Sequence, residues 1–460
     1  MAATSPGYGI TIRVEGPPSA QPVALATTVI TDAGATITAL DVVESLLEKV
    51  VLDITCDTID SAHADQITIA LAKNPELTVR KVSDRTFLLH LGGKIEIQSK
   101  VPLKTRDDLS RAYTPGVARI CQAIVADPAD ARRLTIKRNT VAVVTDGSAV
   151  LGLGNIGPAA ALPVMEGKAA LFKRFADVDA WPVCLDTQDV DEIVRTVQLI
   201  APVYGGINLE DISAPRCFEV ERRLRELLDI PVFHDDQHGT AIVVLAALRN
   251  ALKFVKKDLG SVKIVLSGVG AAGNAIARLL TLSGAKNIIG FNHHGVIHNQ
   301  MKSDDSMQQW FIDNSNPNNF IGTMPEALVG ADVFIGVSAP NILKEADIAT
   351  MAKGSIIFAL ANPDPEVDPV LARKYATVVA TGRSDQPNQI NNVLAFPGIF
   401  RGLLDANAHK ITDKLLVAAA EAIADCVSPE QLNASFIVPS VFDPTVVKAV
   451  AEAVRVESKA

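Results

Sequence analysis

Val262-Lys263-Ile264-Val265-Leu266-Ser267-Gly268-Val269-Gly270-Ala271-Ala272-Gly273-Asn274 is an apolar run that ends in a glycine-rich turn. The pattern predicts a strand, the turn, and then a helix over Asn274–Leu282, which is the local order that a pyrophosphate-binding turn requires. Glycine permits both the tight turn and a close backbone approach, and the helix amino terminus attracts phosphate charge. Gly268, Gly270, Ala271, Ala272 and Gly273 are therefore candidate cofactor contacts. A second string of the same form, Gly152-Leu153-Gly154-Asn155-Ile156-Gly157, precedes Pro158 and another helix. It reads either as an anion-binding loop or as a packed strand-to-helix turn.

Outward from the first turn, strand-like runs recur at Asn287–Phe291, Val333–Val337, Ser355–Ala359 and Thr377–Ala380. With the opening strand they make a five-stranded Rossmann-type domain, followed beyond Phe396 by Ala-rich helices. In an NAD-binding turn an acidic residue is expected about twenty positions on, where it binds the ribose hydroxyls. Asn292 stands there, followed by His293 and His294. Loss of the acid removes a repulsive element against the extra phosphate of NADP, and a protonated histidine attracts it.

Before this domain lie two acidic pairs. Gly205-Gly206-Ile207-Asn208-Leu209-Glu210-Asp211-Ile212-Ser213 and Pro231-Val232-Phe233-His234-Asp235-Asp236-Gln237-His238-Gly239-Thr240 each end an apolar segment in two carboxylates. Either pair alone reads as helix-capping acids. Two pairs in similar surroundings point to a hard-oxygen site for Mg²⁺ or Mn²⁺.

The chain has 460 residues, so two or three domains are expected. Its formal charge of −9 excludes the basic surface that nucleic acid or an anionic membrane needs. A small metabolite is the expected ligand. The 5 cysteines are odd in number and scattered, and read as reduced thiols. No basic-then-apolar leader and no apolar run of membrane-spanning length is seen, so a cytoplasmic location is expected.

Residues 1–100 alternate as strand, helix, two strands, helix, strand: Tyr8–Val14, Val23–Thr31, strands within Thr36–Thr55, Ser61–Lys73 and Leu77–Val82. That βαββαβ order predicts a ferredoxin-like module. It looks like an ACT domain, a regulatory or dimerisation unit that can bind a small-molecule effector. Residues 101–240 alternate β-rich and helical runs and read as an α/β catalytic domain, and 241–460 as the dinucleotide domain with its C-terminal helices.

The strings SRAYTPGVA, VVTDGSAVLGLGNIGP, PVMEGKAALFK, GGINLEDISAPRCFE, FHDDQHGTA, ALANP and TGRSDQPNQINNVLAFPGIFRG lie between about Lys104 and Thr412. Together they resemble the short bacterial malic enzymes, which oxidise and decarboxylate malate to pyruvate. The resemblance implies Lys168 as general base, Tyr113 as the acid that protonates C3 of enolpyruvate, and Glu210, Asp211 and Asp236 as ligands of a divalent metal that stabilises the enolate. It gives Asp235 the task of positioning Lys168, Asn362 and Asn392 contacts to malate, and Asn391 the nicotinamide side. Burial and a nearby metal are expected to lower the pKa of Lys168. NAD is the expected cofactor, with NADP open, and a homodimer or larger homo-oligomer is expected. Ala149 stands where larger malic enzymes carry an arginine, which leaves Ser148 and the Gly152–Gly157 loop as candidates for the second malate carboxylate. The competing readings are malolactic conversion to lactate and a non-catalytic nucleotide-binding sensor.

Overall fold

The first four strands are β1 (Ser5–Gly16), β2 (Thr36–Ser45), β3 (Val50–Thr58) and β4 (Thr78–Asp84). Alternation along β1 buries Ile10, Ile12 and Val14 on one face, as a side-chain period of two requires. All pairings are antiparallel, in the order β2-β3-β1-β4. Helices Pro22–Asp32 and Ser61–Ala72 contribute Ala26, Ile30, Ile67 and Leu71 to the same core. Asp60 caps the second helix by accepting from the His63 backbone N–H at 2.7 Å. The elements and the strand order are those of the expected ferredoxin-like module.

The computed structural model describes residues 4–150 and 152–459. Its contacts divide the chain into two units, Met1–Glu96 and Ile97–Ala460. The second unit holds two sheets. The first comprises β5 (Thr140–Thr145), β6 (Asp179–Cys184), β7 (Gly206–Leu209) and β8 (Val232–His234), all parallel, in the order β6-β5-β7-β8. The central strands β5 and β7 are buried throughout, as parallel strands covered on both faces are, and so is the edge strand β8.

The second sheet comprises β9 (Lys263–Ser267), β10 (Asn287–Asn292), β11 (Gly295–Val296), β12 (Val333–Gly336), β13 (Ile356–Ala359) and β14 (Val378–Thr381). Its order is β11-β10-β9-β12-β13-β14. The five expected strands are present and parallel. The two-residue β11 is an addition, since it folds back antiparallel on β10 and is too short to carry a periodic signal.

Three C-terminal helices, Phe396–Ala406, Asp413–Asp425 and Pro444–Glu457, follow. The first packs on the helix Gly157–Ala176, where the Phe172 ring meets Phe396 at 4.7 Å and Phe400 at 5.3 Å, both edge-on. A Cβ at Gly206 would lie 2.9 Å from the Phe400 ring, so glycine admits this helix against the first sheet. This contact brings a residue of the C-terminal segment, Phe396, against the helix Gly157–Ala176 beside the first sheet.

One expectation is corrected. The run Asp235–Val255 has 21 helical residues, of which an 18-residue stretch has mean hydropathy 1.2, so by length and composition it is long and apolar enough to cross a membrane. It escapes a reading of the sequence because Asp235, Asp236 and His238 interrupt the apolar pattern at its start, and the structure fuses them to the helix. Of that 18-residue stretch, 67 % is buried inside the protein.

Candidate active site

β7 and β8 are parallel neighbours, with Leu209 in register with His234. The residues that follow them, Glu210-Asp211 and Asp235-Asp236, therefore emerge side by side at the carboxyl edge of the sheet, where α/β folds place ligands. After β8 the chain enters a π-helical turn, Asp235–Gly239, before the helix Thr240–Val255. A Cβ on Gly239 would stand 2.1 Å from Asp235 Oδ1, so the turn depends on glycine there. Asp211 takes a left-handed backbone, φ 54°, at a cost of about 1–2 kcal/mol for a residue with a Cβ. Its backbone N–H donates to Asp236 Oδ2 at 2.8 Å and so links the two acidic pairs.

Carboxylate oxygens of Glu210, Asp211 and Asp236 lie within 4.8 Å of one another. Asn208 Nδ2 donates to Glu210 Oε2 at 2.8 Å. Burial, with the Asp236 charge added, pushes the Asp211 carboxyl up to about 8. Burial also raises Glu210 well above the carboxylate range, against the pull of Lys168. Asp211 Oδ2 and Asp235 Oδ1 are buried and have no hydrogen-bond donor among the described residues. Mutually repelling acids and unsatisfied oxygens are what a divalent cation relieves, and an all-oxygen donor set suits Mg²⁺ or Mn²⁺. The residues present fit that group.

Lys168 projects from the helix Gly157–Ala176 with its side chain 10 % exposed. Its Nζ lies 2.7 Å from Asp235 Oδ2, 2.9 Å from Glu210 Oε1 and 4.2 Å from the centre of the Phe396 ring. Burial opposes its charge, but Asp235 and Glu210 outweigh burial and raise its pKa above the ordinary lysine value. The expectation of a lowered pKa is thus corrected for the protein without a metal: two buried carboxylates hold the ammonium form. Asn392 Nδ2 donates to Asp235 Oδ2 at 3.0 Å and lies 3.2 Å from Thr240 Oγ1. Asp235 therefore receives both Lys168 and Asn392.

The remaining predicted residues are placed less uniformly. Tyr113 ends the helix Arg106–Ala112, is 67 % exposed, and has no hydrogen bond to the Lys168 cluster among the described residues. Asn362 is exposed, after β13, and the space where Gly152 would carry a Cβ lies 2.4 Å from its backbone oxygen. Asn391 spends its side-chain oxygen on the Val393 N–H at 3.0 Å. The Ser148 hydroxyl is committed to Asp146 Oδ1 at 2.5 Å and to the Ser213 N–H at 2.9 Å. As a candidate for the second malate carboxylate it is already occupied. Gly152, Gly154 and Gly157 all have positive φ, near 76–78°, so that loop needs glycine for its path.

In the dinucleotide turn the glycines do separate tasks. Gly268 has φ 94° and its Cβ would press on Val337 O at 2.6 Å. Gly273 packs so closely that a Cβ would lie 1.8 Å from Gly268 O. Gly270 faces open space, as a phosphate-facing position must. Ala271 and Ala272 begin the helix Ala271–Leu282. Asn292 ends β10 and accepts the His294 N–H at 2.8 Å, and the His293 and His294 rings lie 3.7 Å apart.

Several residues at the site lacked any signal in the sequence. Phe396 arrives from far along the chain. His234 is wholly buried, which lowers its pKa, and its Nδ1 stands 3.6 Å from Asp236 Oδ2. Glu221 looked like one charge among many on a charged helix, yet it is 6 % exposed.

Two family models match the chain: the malic enzyme N-terminal domain over residues 92–225 and the malic enzyme NAD-binding domain over residues 237–459. The fold and its acidic centre are thus those of a two-lobed dinucleotide enzyme, and the chain belongs to the malic enzyme family. It is 58 % identical to an NAD-dependent malic enzyme of Geobacillus stearothermophilus, over 92 % of this chain and 88 % of that one. It is 53 % identical to a bifunctional malic/malolactic enzyme of Bacillus subtilis, over 81 % of this chain and 92 % of that one. The solved structure of an NAD-dependent malic enzyme from Thermotoga maritima superposes with a TM-score of 0.78 and 48 % identity, over 81 % of this chain and 99 % of that one.

Proposed function

We propose that the protein oxidises and decarboxylates L-malate to pyruvate and carbon dioxide with reduction of NAD(P). The observation that carries this reading is the placement of Lys168. The lysine shares one carboxylate, Glu210, with the three-acid cluster and another, Asp235, with Asn392. A base for the C2 hydroxyl thus sits against the residues that would hold a divalent ion.

Glu210, Asp211 and Asp236 would hold the ion, and Gly268 to Gly273 with Asn292 would hold the cofactor. When bound, the ion supplies Lewis acidity and a positive charge that disfavours the charged form of Lys168, and NAD(P) supplies the hydride acceptor. Lys168 takes the proton from the C2 hydroxyl, with Asp235 fixing the direction of its Nζ. Asn362 and Asn392 orient malate through neutral amides that leave the acidic cluster free. Tyr113 returns a proton to C3, and its exposure means that it must be covered when the site is assembled. Residues 1–100 serve as an ACT-like regulatory or dimerisation module, 101–240 as the catalytic lobe and 241–460 as the cofactor lobe, in a cytoplasmic homodimer or larger assembly.

Initial-rate absorbance of reduced nicotinamide with L-malate and Mn²⁺, run with NAD and with NADP, tests the reading. Pyruvate and reduced cofactor are expected in equal amounts, with NAD preferred. Lactate without net reduced cofactor would replace it with malolactic conversion, the second activity in the name of the Bacillus relative. Nucleotide binding with neither product would leave a sensor.

A further inference from the structure

The π-helical turn Asp235–Gly239 has two polar faces. Asp235 and Asp236 serve Lys168 and the acidic cluster, while Gln237 and His238 point to the helix Arg216–Leu227 and converge on one buried carboxylate, Glu221. Gln237 Nε2 donates to Glu221 Oε2 at 3.2 Å, and His238 Nε2 lies 2.7 Å from Glu221 Oε1. Arg225, one helical turn on, reaches the same Oε1 at 2.9 Å and donates through Nε to the backbone oxygen of Val232 in β8 at 3.2 Å. Glu221 is therefore tied to the turn directly and, through Arg225, to the strand that leads into it.

Behind these side chains is a cavity of about 790 Å³, lined by Glu221, Arg225, Gln237 and His238 together with Arg278 and Met307. On that side the turn is held by polar tethers next to open space. The five residues form a wide π-type turn at the start of the helix, with the Thr240 N–H bonded to Asp235 O, and the side-chain grips on Gln237 and His238 help to set where Asp236 stands.

We propose that Glu221 is a positioning residue for the divalent-ion site, holding the turn through Gln237 and His238 so that Asp236 stays within coordinating reach of Glu210 and Asp211. This rests on the metal-site reading above. It extends that reading to a carboxylate that coordinates nothing, whose partners orient a ligand in the way that outer hydrogen bonds tune metal sites.

The test is direct Mn²⁺ binding to the whole protein, read from the electron paramagnetic resonance of free Mn²⁺ without malate or cofactor, alongside NAD binding by calorimetry. Glu221→Gln keeps the shape and removes the charge. Its Mn²⁺ affinity is expected to fall about ten-fold or more, with NAD affinity within two-fold of the parent and turnover largely restored at saturating Mn²⁺. An Mn²⁺ affinity within two-fold of the parent would overturn the proposal. So would parallel losses of Mn²⁺ and NAD affinity, which would mark general loosening. Where Glu221→Gln does not fold, Gln237→Met removes a single tether and leaves both ion pairs. It is expected to weaken Mn²⁺ by about two- to ten-fold, the worth of one hydrogen bond, and an unchanged affinity would overturn the proposal equally. A parent protein that binds no Mn²⁺ would instead defeat the metal-site reading itself.

Discussion

Glu221 and Asp211 are buried carboxylates on opposite sides of one turn, and their protonation is driven in opposite directions. Burial raises both. At Glu221 the charges of His238 and Arg225 outweigh it and hold the carboxyl down to about 2. At Asp211 the strongest charge effect is that of Asp236, which adds to burial and lifts the carboxyl to about 8. A carboxylate with its donors in place is a structural tether, and one that lacks them is prepared for a ligand that is not part of the chain. The turn Asp235–Gly239 borders both environments because Asp235 and Asp236 leave it on one side and Gln237 and His238 on the other.

The sharpest way to break this comparison is Lys168→Ala. It should lower kcat by about 10² to 10⁴, the usual range for a general base, while NAD affinity measured by calorimetry stays within two-fold. Parental turnover would remove Lys168 from the chemistry and leave it as a counter-charge for Asp235 and Glu210. Asp236→Asn should come next, raising the Mn²⁺ concentration for half-maximal rate by about 100-fold, the upper range for a perturbed metal site. An Mn²⁺ saturation curve identical to the parent's would mean that the unsatisfied face is not a metal site.

Gly273→Ala tests whether the two halves of the site are separable. The added Cβ meets Gly268 O at 1.8 Å, so the turn must shift, and NAD affinity is expected to fall about ten-fold or more, the worth of one or two kcal/mol. Mn²⁺ binding without cofactor should stay at the parental value, and a joint loss would show that the sheets do not act independently.

The smallest effect is on stability. Because the Glu221 carboxyl is held below its unfolded value, it favours the folded state above about pH 4.5, and that contribution is lost as the pH falls towards 2. Glu221→Gln should therefore melt a few degrees below the parent at pH 7, with the gap closing as thermal scans approach pH 3. A gap that does not change with pH would mean that the substitution acts through packing and not through the charge.

Much of this was legible along the chain. The glycine turn at 268–273, its flanking strand and helix, and the βα series after it obey local rules, so the dinucleotide lobe could be read from spacing. The first unit was equally open because alternation and helical runs of ordinary length carry it. Both acidic pairs were visible as carboxylates at the ends of apolar runs. Lys168 was recognisable only with its family's strings around it, and its protonation was misread because the expected metal was considered without the two carboxylates that the fold brings to it. The exposure of Tyr113 and the commitment of Ser148 to Asp146 were equally invisible.

The sequence by itself determined most of the strands and helices, where the nucleotide turn lies, and which acids are available for a metal. Those properties depend on neighbours a few residues apart. Only the tertiary structure decided which acids stand together, since that follows from β7 and β8 being adjacent and parallel. It also decided that Phe396 lies under Lys168 and that Glu221 grips the far side of the turn. Contacts across 228 positions or 17 positions have no period for a sequence to display. They exist because a buried charge without a partner is costly, and the fold alone sets which partners are in reach.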